Sequence, residues 1–164
     1  MKTASCLLVW LTLLPLVREQ VPRPTTEQLP AIAASGAFFA LSVADIEASA
    51  KWYSEKLGLK VVMKAPKRDH AAVTVLEGGG LIVELIQRDD AAPLGKAAPS
   101  VKGTLYVHGM FKAGVIVDDF EKTLAMLKAR GVDFFIGPFP GRANQRANVI
   151  IKDNAGNLIQ FFGK

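Results

Sequence analysis

From residue 37 onward the spacing of apolar residues changes period in a set order, and that order occurs twice. Phe38 to Val43 alternates between large apolar and small or polar residues, the period-two pattern of a half-buried strand. Asp45 then stands as a helix N-cap before IEASAKWYSEKLG, in which Ile46, Ala50, Tyr53 and Leu57 recur at helical spacing on one face. Gly58 is the expected stop. Three short β-rich runs follow: LKVVMK, AAVTVLE and LIVELIQ. Their turns are expected at Pro66-Lys67-Arg68-Asp69 and at Gly78-Gly79-Gly80. The pattern predicts a βαβββ unit over residues 37–88.

A stretch poor in periodicity, residues 89–108, reads as a connector. The same order then returns over residues 109–163. Phe111 to Val117 reads as a strand. Asp118 or Asp119 caps DFEKTLAMLKARG, with Phe120, Leu124 and Leu127 on one face and Gly131 as the stop. VDFFIGPF, ANVIIKD and NLIQFF supply three more strands. The two halves correspond residue by residue: Val43 with Val117, Asp45 with Asp119, Glu47 with Glu121, Ser49 with Thr123, and GLIVEL with GNLIQF. The predicted class is therefore α+β, with tandem βαβββ modules. Two curved four-stranded units can pair edge to edge, protecting their edges and leaving a concave face.

The N-terminus changes the picture of where the protein works. Lys2 precedes an apolar run, CLLVWLTLLPLV, at residues 6–17. This is shorter than the roughly 20 residues that span a bilayer, so a secretory signal is the better expectation. Arg18, Glu19 and Gln20 follow it directly, and the first small-x-small triplet is Ala31-Ile32-Ala33. The expectation is export, periplasmic or secreted, with an uncleaved N-terminal anchor as the alternative. Residues 1–34 are thus read as leader and Pro-rich linker, and 35–164 as one domain. Cys6 is the only cysteine and lies in the leader, so the remainder has no disulfide or thiolate site. The net charge of +5 comes without a dense Lys/Arg run, which argues against a nucleic-acid partner. Gly78–Gly80 is a hairpin turn rather than a phosphate loop, because no helix follows it.

The strings FALSVADIEASAKWYSEKLGLKVV and FKAGVIVDDFEKTLAMLKARGV, with the closing DNAGNLIQFF, resemble the vicinal-oxygen-chelate superfamily of glyoxalases, bleomycin-resistance proteins and dioxygenases. The resemblance covers about residues 37–163. It implies a cupped eight-stranded mixed sheet with helices on its outer face. It also implies a divalent metal at the centre, held by one residue from the first and one from the last strand of each module. The matching positions here are Phe38, Glu84, Lys112 and Gln160. Phe38 has no donor atom, charged Lys112 has no acceptor, and Gln160 offers an amide oxygen where the family pattern has Glu. Only Glu84 is an ordinary ligand, so the resemblance implies a degenerate metal site and no resident cofactor.

Strand parity adds a reading independent of that resemblance. Phe39, Leu41, Val43, Val83, Leu85, Ile159 and Phe161 should pack under the helices. The opposite face then carries Phe38, Ile82, Glu84, Lys112, Gln160 and Phe162, mostly apolar with few polar groups. An ion pair between Glu84 and Lys112 is expected in place of the metal, since buried charges are rarely left unpaired. These two are the catalytic candidates; Phe38, Ile82, Gln160, Phe162 and Arg146 are the ligand-binding candidates. Arg142 and Arg146, in GRANQRANV, could reach an anionic substrate. His70 and His108 read as surface residues near turns.

Two function classes follow. The first is a binder of a small, partly apolar molecule that uses no metal. The second is a metal-dependent lyase or isomerase of the glyoxalase I (lactoylglutathione-lyase) type, or a dioxygenase, using Glu84, Gln160 and a displaced histidine. Metal-free acid–base chemistry by Glu84 and Lys112 is a third, weaker option. The partners expected are a small ligand and a second copy in a homodimer, with no membrane for the folded domain.

Overall fold

The computed structural model describes residues 38–164; the expected leader and linker lie outside the described residues. The element order is β1 (Phe38–Ser42), α1 (Ile46–Trp52), β2 (Lys60–Arg68), β3 (Ala71–Gly78) and β4 (Leu81–Arg88). After these come α2 (Leu94–Ala97), β5 (Ala113–Val117), α3 (Phe120–Ala129), β6 (Phe134–Phe139), β7 (Asn148–Lys152) and β8 (Leu158–Gly163). Each βαβββ module is present. The eight strands form two four-stranded mixed sheets, ordered β1-β4-β3-β2 and β5-β8-β7-β6. In both, the first strand runs parallel to the last and the remaining pairs are antiparallel. The class is α+β, as the periodicity predicts.

The helices begin where the acidic caps stand. Asp45 accepts a hydrogen bond from the Ala48 N–H and Asp119 accepts one from the Lys122 N–H, each at 2.9 Å. The first helix widens into a π-helical turn over Tyr53–Leu57 and stops at Gly58, whose φ of 76° suits a residue without Cβ. The predicted faces are the buried ones: Ile46, Ala50 and Tyr53 on the first helix, Phe120, Leu124 and Leu127 on α3. They pack over Phe39, Val83 and Leu85 in one module and Val149, Ile159 and Phe161 in the other, in one continuous core.

Three local expectations change. Pro66-Lys67-Arg68 lies within β2, and the turn is Asp69-His70, both with positive φ. The register shifts between Ala65 and Arg68, so the missing N–H of Pro66 falls in an irregular stretch of the ladder. The strand expected from Phe111 begins only at Ala113. The connector carries α2 and a 3₁₀ turn at Thr104–Tyr106. The Gly79-Gly80 turn, with φ of 58° and 80°, is the hairpin expected.

Buried polar contacts join the modules. The Tyr53 hydroxyl donates to Asp153 Oδ2 at 2.9 Å. Asp153 also accepts from the N–H groups of Ala155 and Asn157 and from Asn157 Nδ2. Burial, reinforced by the Asp153 charge, pushes the Tyr53 phenol far above its usual range. Asn154 Nδ2 donates to Ser49 Oγ. Lys56 Nζ donates to the Arg130 carbonyl, and Arg130 Nη1 donates back to the Lys56 carbonyl.

Candidate functional site

Register fixes which side chains share the open face, because residues directly opposite in a sheet point the same way. In the first module Ala40 stands beside Glu84, and Glu84 beside Val75. Phe38 stands beside Ile82. Phe38 is 62% exposed and Ile82 39%, while Val83 and Leu85 on the helix side are fully buried. The parity reading therefore holds for β1 and β4. Glu84 is half-buried in the middle of this apolar face. Among the described residues it makes no side-chain hydrogen bond and no ion pair.

In the second module Gly114 stands beside Gln160, and Gln160 beside Ile150; Ile116, Phe162 and Asn148 form the next row. Gln160, Ile150 and Asn148 are buried, whereas Ile116 is 60% exposed. Gln160 Nε2 donates to Asn148 Oδ1 at 3.0 Å, and Asn148 Nδ2 donates to the Arg146 carbonyl at 3.1 Å. Gln160 Oε1 is buried without a partner among the described residues. Asn148 lies in β7, within the strand expected over ANVIIKD, and orients Gln160.

The expected Glu84–Lys112 ion pair is not formed. Lys112 precedes β5, is exposed, and places its Nζ 5.9 Å above the Phe111 ring. A cation free to reach water and an aromatic face keeps its solvation without a carboxylate partner. Lys112 instead lines a cavity of about 280 Å³, with Ala40, Ser42, Met110, Ala113 and Leu158. That cavity runs along the seam between the first strands of the two modules.

The other candidates are scattered. The Arg146 side chain is exposed, and Arg142 forms an isolated bridge with Gln145. His70 sits in the β2–β3 turn, its Nδ1 3.6 Å from Asp89 Oδ2, beside the Lys67–Asp89 ion pair. Hydrogen bonding from Lys67 holds the Asp89 carboxyl below its usual range. His108 lies exposed in the connector. Among the described residues no three His, Cys, Asp or Glu side chains converge as a metal cluster. The donor set at the four matching positions, one carboxylate and one amide oxygen, does not fit a tightly held divalent cation.

The profile of the Glyoxalase/Bleomycin resistance protein/Dioxygenase superfamily matches residues 37–161. The chain belongs to this superfamily. No curated protein matches its sequence. Among solved structures, the glyoxalase family protein from Enterococcus faecalis superposes with a TM-score of 0.61 at 17% identity, covering 76% of this chain and 94% of that one. A glyoxylase/bleomycin resistance protein/dioxygenase domain from Frankia sp. EAN1pec gives 0.62 at 19% identity, covering 80% and 93%. TnmS3, an antibiotic binding protein from Streptomyces sp. CB03234, gives 0.56 at 20% identity, covering 82% and 98%. At these identities the likeness concerns the fold. Among the described residues no helix is long and apolar enough to cross a membrane.

Proposed function

We propose that this superfamily member binds a small, partly apolar molecule on the open face of its sheets, without a resident metal. The observation that carries the reading is the composition of that face. Phe38, Ile82 and Ile116 present apolar surface to solvent, with Glu84, Gln160 and Asn148 among the few polar groups near the middle. Apolar walls with few polar groups are the usual composition of a small-molecule site. TnmS3 shows that a protein of this fold can be an antibiotic binder. Acid–base chemistry by a Glu84–Lys112 pair loses its support, because Lys112 stacks on Phe111 instead.

The test is metal analysis of the purified protein, together with a thermal-shift panel of apolar aromatic compounds. Substoichiometric metal and concentration-dependent stabilisation by members of the panel are expected. Stoichiometric Ni, Zn, Mn or Fe would overturn the metal-free reading and favour the lyase or dioxygenase class.

Export through the N-terminal apolar run, and self-association as a homodimer, belong to the same proposal. Fractionation of the producing cell and sedimentation of the purified protein test them. A cytoplasmic chain would remove the first and a monomer the second.

A further inference from the structure

The two ends of the Gln160 amide are not equivalent. Asn148 directs its Nδ2 to the Arg146 carbonyl, and a carbonyl can only accept. That fixes Asn148 Oδ1 as the atom facing Gln160. An acceptor there requires the NH₂ end of Gln160. The remaining atom, Oε1, is therefore an acceptor, and it lies buried with no donor among the described residues. Gln160 is 94% removed from solvent, its exposure being 6%, so bulk water does not readily serve that atom. Buried polar atoms are seldom left unsatisfied, and an exception needs an explanation.

The neighbour across the ladder is Gly114, the residue beside Gln160 on the same face. A Cβ built on Gly114 would meet nothing within 4 Å. Open space thus lies over Gly114, the strand neighbour of Gln160, whose orphaned acceptor is oriented by two hydrogen bonds and shielded from water. Leu158, two residues before Gln160 on the same face, lines the seam cavity. The spacing of alternate strand residues puts it only about 7 Å away.

We propose that Gln160 Oε1 receives an N–H or O–H donor of the small ligand, which enters over Gly114, displaces the side chains that shield this atom, and rests its apolar body on Ile116 and Phe162. The inference rests on the small-molecule reading above and narrows it. The ligand class becomes apolar, typically aromatic, molecules carrying one donor, such as indoles and phenols. The corresponding position of the first module, Glu84 beside Ala40, presents a half-buried carboxylate and no oriented amide. The site is therefore lopsided, with its directional contact in the second module.

Matched probes test this on the full protein by calorimetry or ligand-observed NMR: indole against benzofuran, and phenol against anisole. The member with the donor is expected to bind about tenfold tighter, and Gln160→Met should erase the preference. Should Gln160→Met fail to fold, Gly114→Val serves instead. Its methyl groups enter the open space and should abolish the preference while Gln160 remains. Equal binding within each pair, or a preference that survives both substitutions, would overturn the inference and leave the small-molecule reading standing. Binding by none of the four probes would overturn both.

Discussion

The two modules repeat one another in backbone and in helix caps, yet their open faces differ. The first module exposes Phe38 and leaves Glu84 half-buried without a partner among the described residues. The second buries Gln160 and Asn148 and joins them in a directed chain of amides. Duplication preserved the frame: the parallel first–last strand pair, the acidic cap, and the glycine that ends each helix. It did not preserve the environment of the two matching polar residues. A family position therefore predicts where a side chain stands and not what surrounds it.

The comparison can be broken most severely where the modules meet. Asp153, buried in the second module, accepts from four donors, one of them Tyr53 of the first. Asp153→Ala orphans them together and should cost about 3–5 kcal/mol in denaturant unfolding. A loss below about 1 kcal/mol would show that the modules do not depend on this contact.

Tyr53→Phe removes one of those donors and should cost about 1.5–3 kcal/mol, the range for hydrogen bonds to charged groups. It should also change the alkaline limb of the stability profile. The Tyr53 phenol is raised in the folded state, so the folded protein holds that proton more tightly than the unfolded chain does. Its contribution is complete below the ordinary phenol value near 10 and is lost progressively as pH rises above it. Melting curves between neutral pH and pH ~11 should fall for the native protein and less for Tyr53→Phe, given the phenol's reference value near 10. Parallel curves would remove Tyr53 as the source.

The asymmetry itself is read by Leu at the two matching positions. Gln160→Leu strands Asn148 Oδ1 and should cost about 1–3 kcal/mol. Glu84→Leu removes an unpartnered carboxylate from an apolar face and should leave stability unchanged or raise it by up to about 1 kcal/mol. Equal losses would mean that the modules hold these residues alike.

The smallest effects test what the modules share. Asp45→Ala and Asp119→Ala each delete a cap with the same 2.9 Å geometry, so each should cost about 1 kcal/mol. Clearly unequal costs would show that the repeat is not energetically even.

The legible part of the molecule was local. Alternation in FFALS and LIVEL assigned Phe39, Val83 and Leu85 to the core, and i, i+4 spacing found the buried faces of both long helices. The β2–β3 turn was misplaced because Pro66 reads as a turn residue, whereas an irregular stretch of strand accommodates it. Lys112 falls inside the strand expected over Phe111 to Val117, but β5 begins only at Ala113 and leaves it free to stack. Asn148 falls within the expected strand ANVIIKD, but its bond to Gln160 depends on the β7–β8 register.

The sequence alone determined the periodicities, the caps, the internal repeat and the poverty of metal ligands, because each depends on residues within a few positions of one another or on donor chemistry itself. Tertiary structure decided which polar groups meet. The Tyr53–Asp153 bond spans 100 residues, and the Gln160–Asn148 bond crosses a hairpin whose register sets the pairing. Such contacts depend on how strands and modules are brought together, which no local pattern encodes.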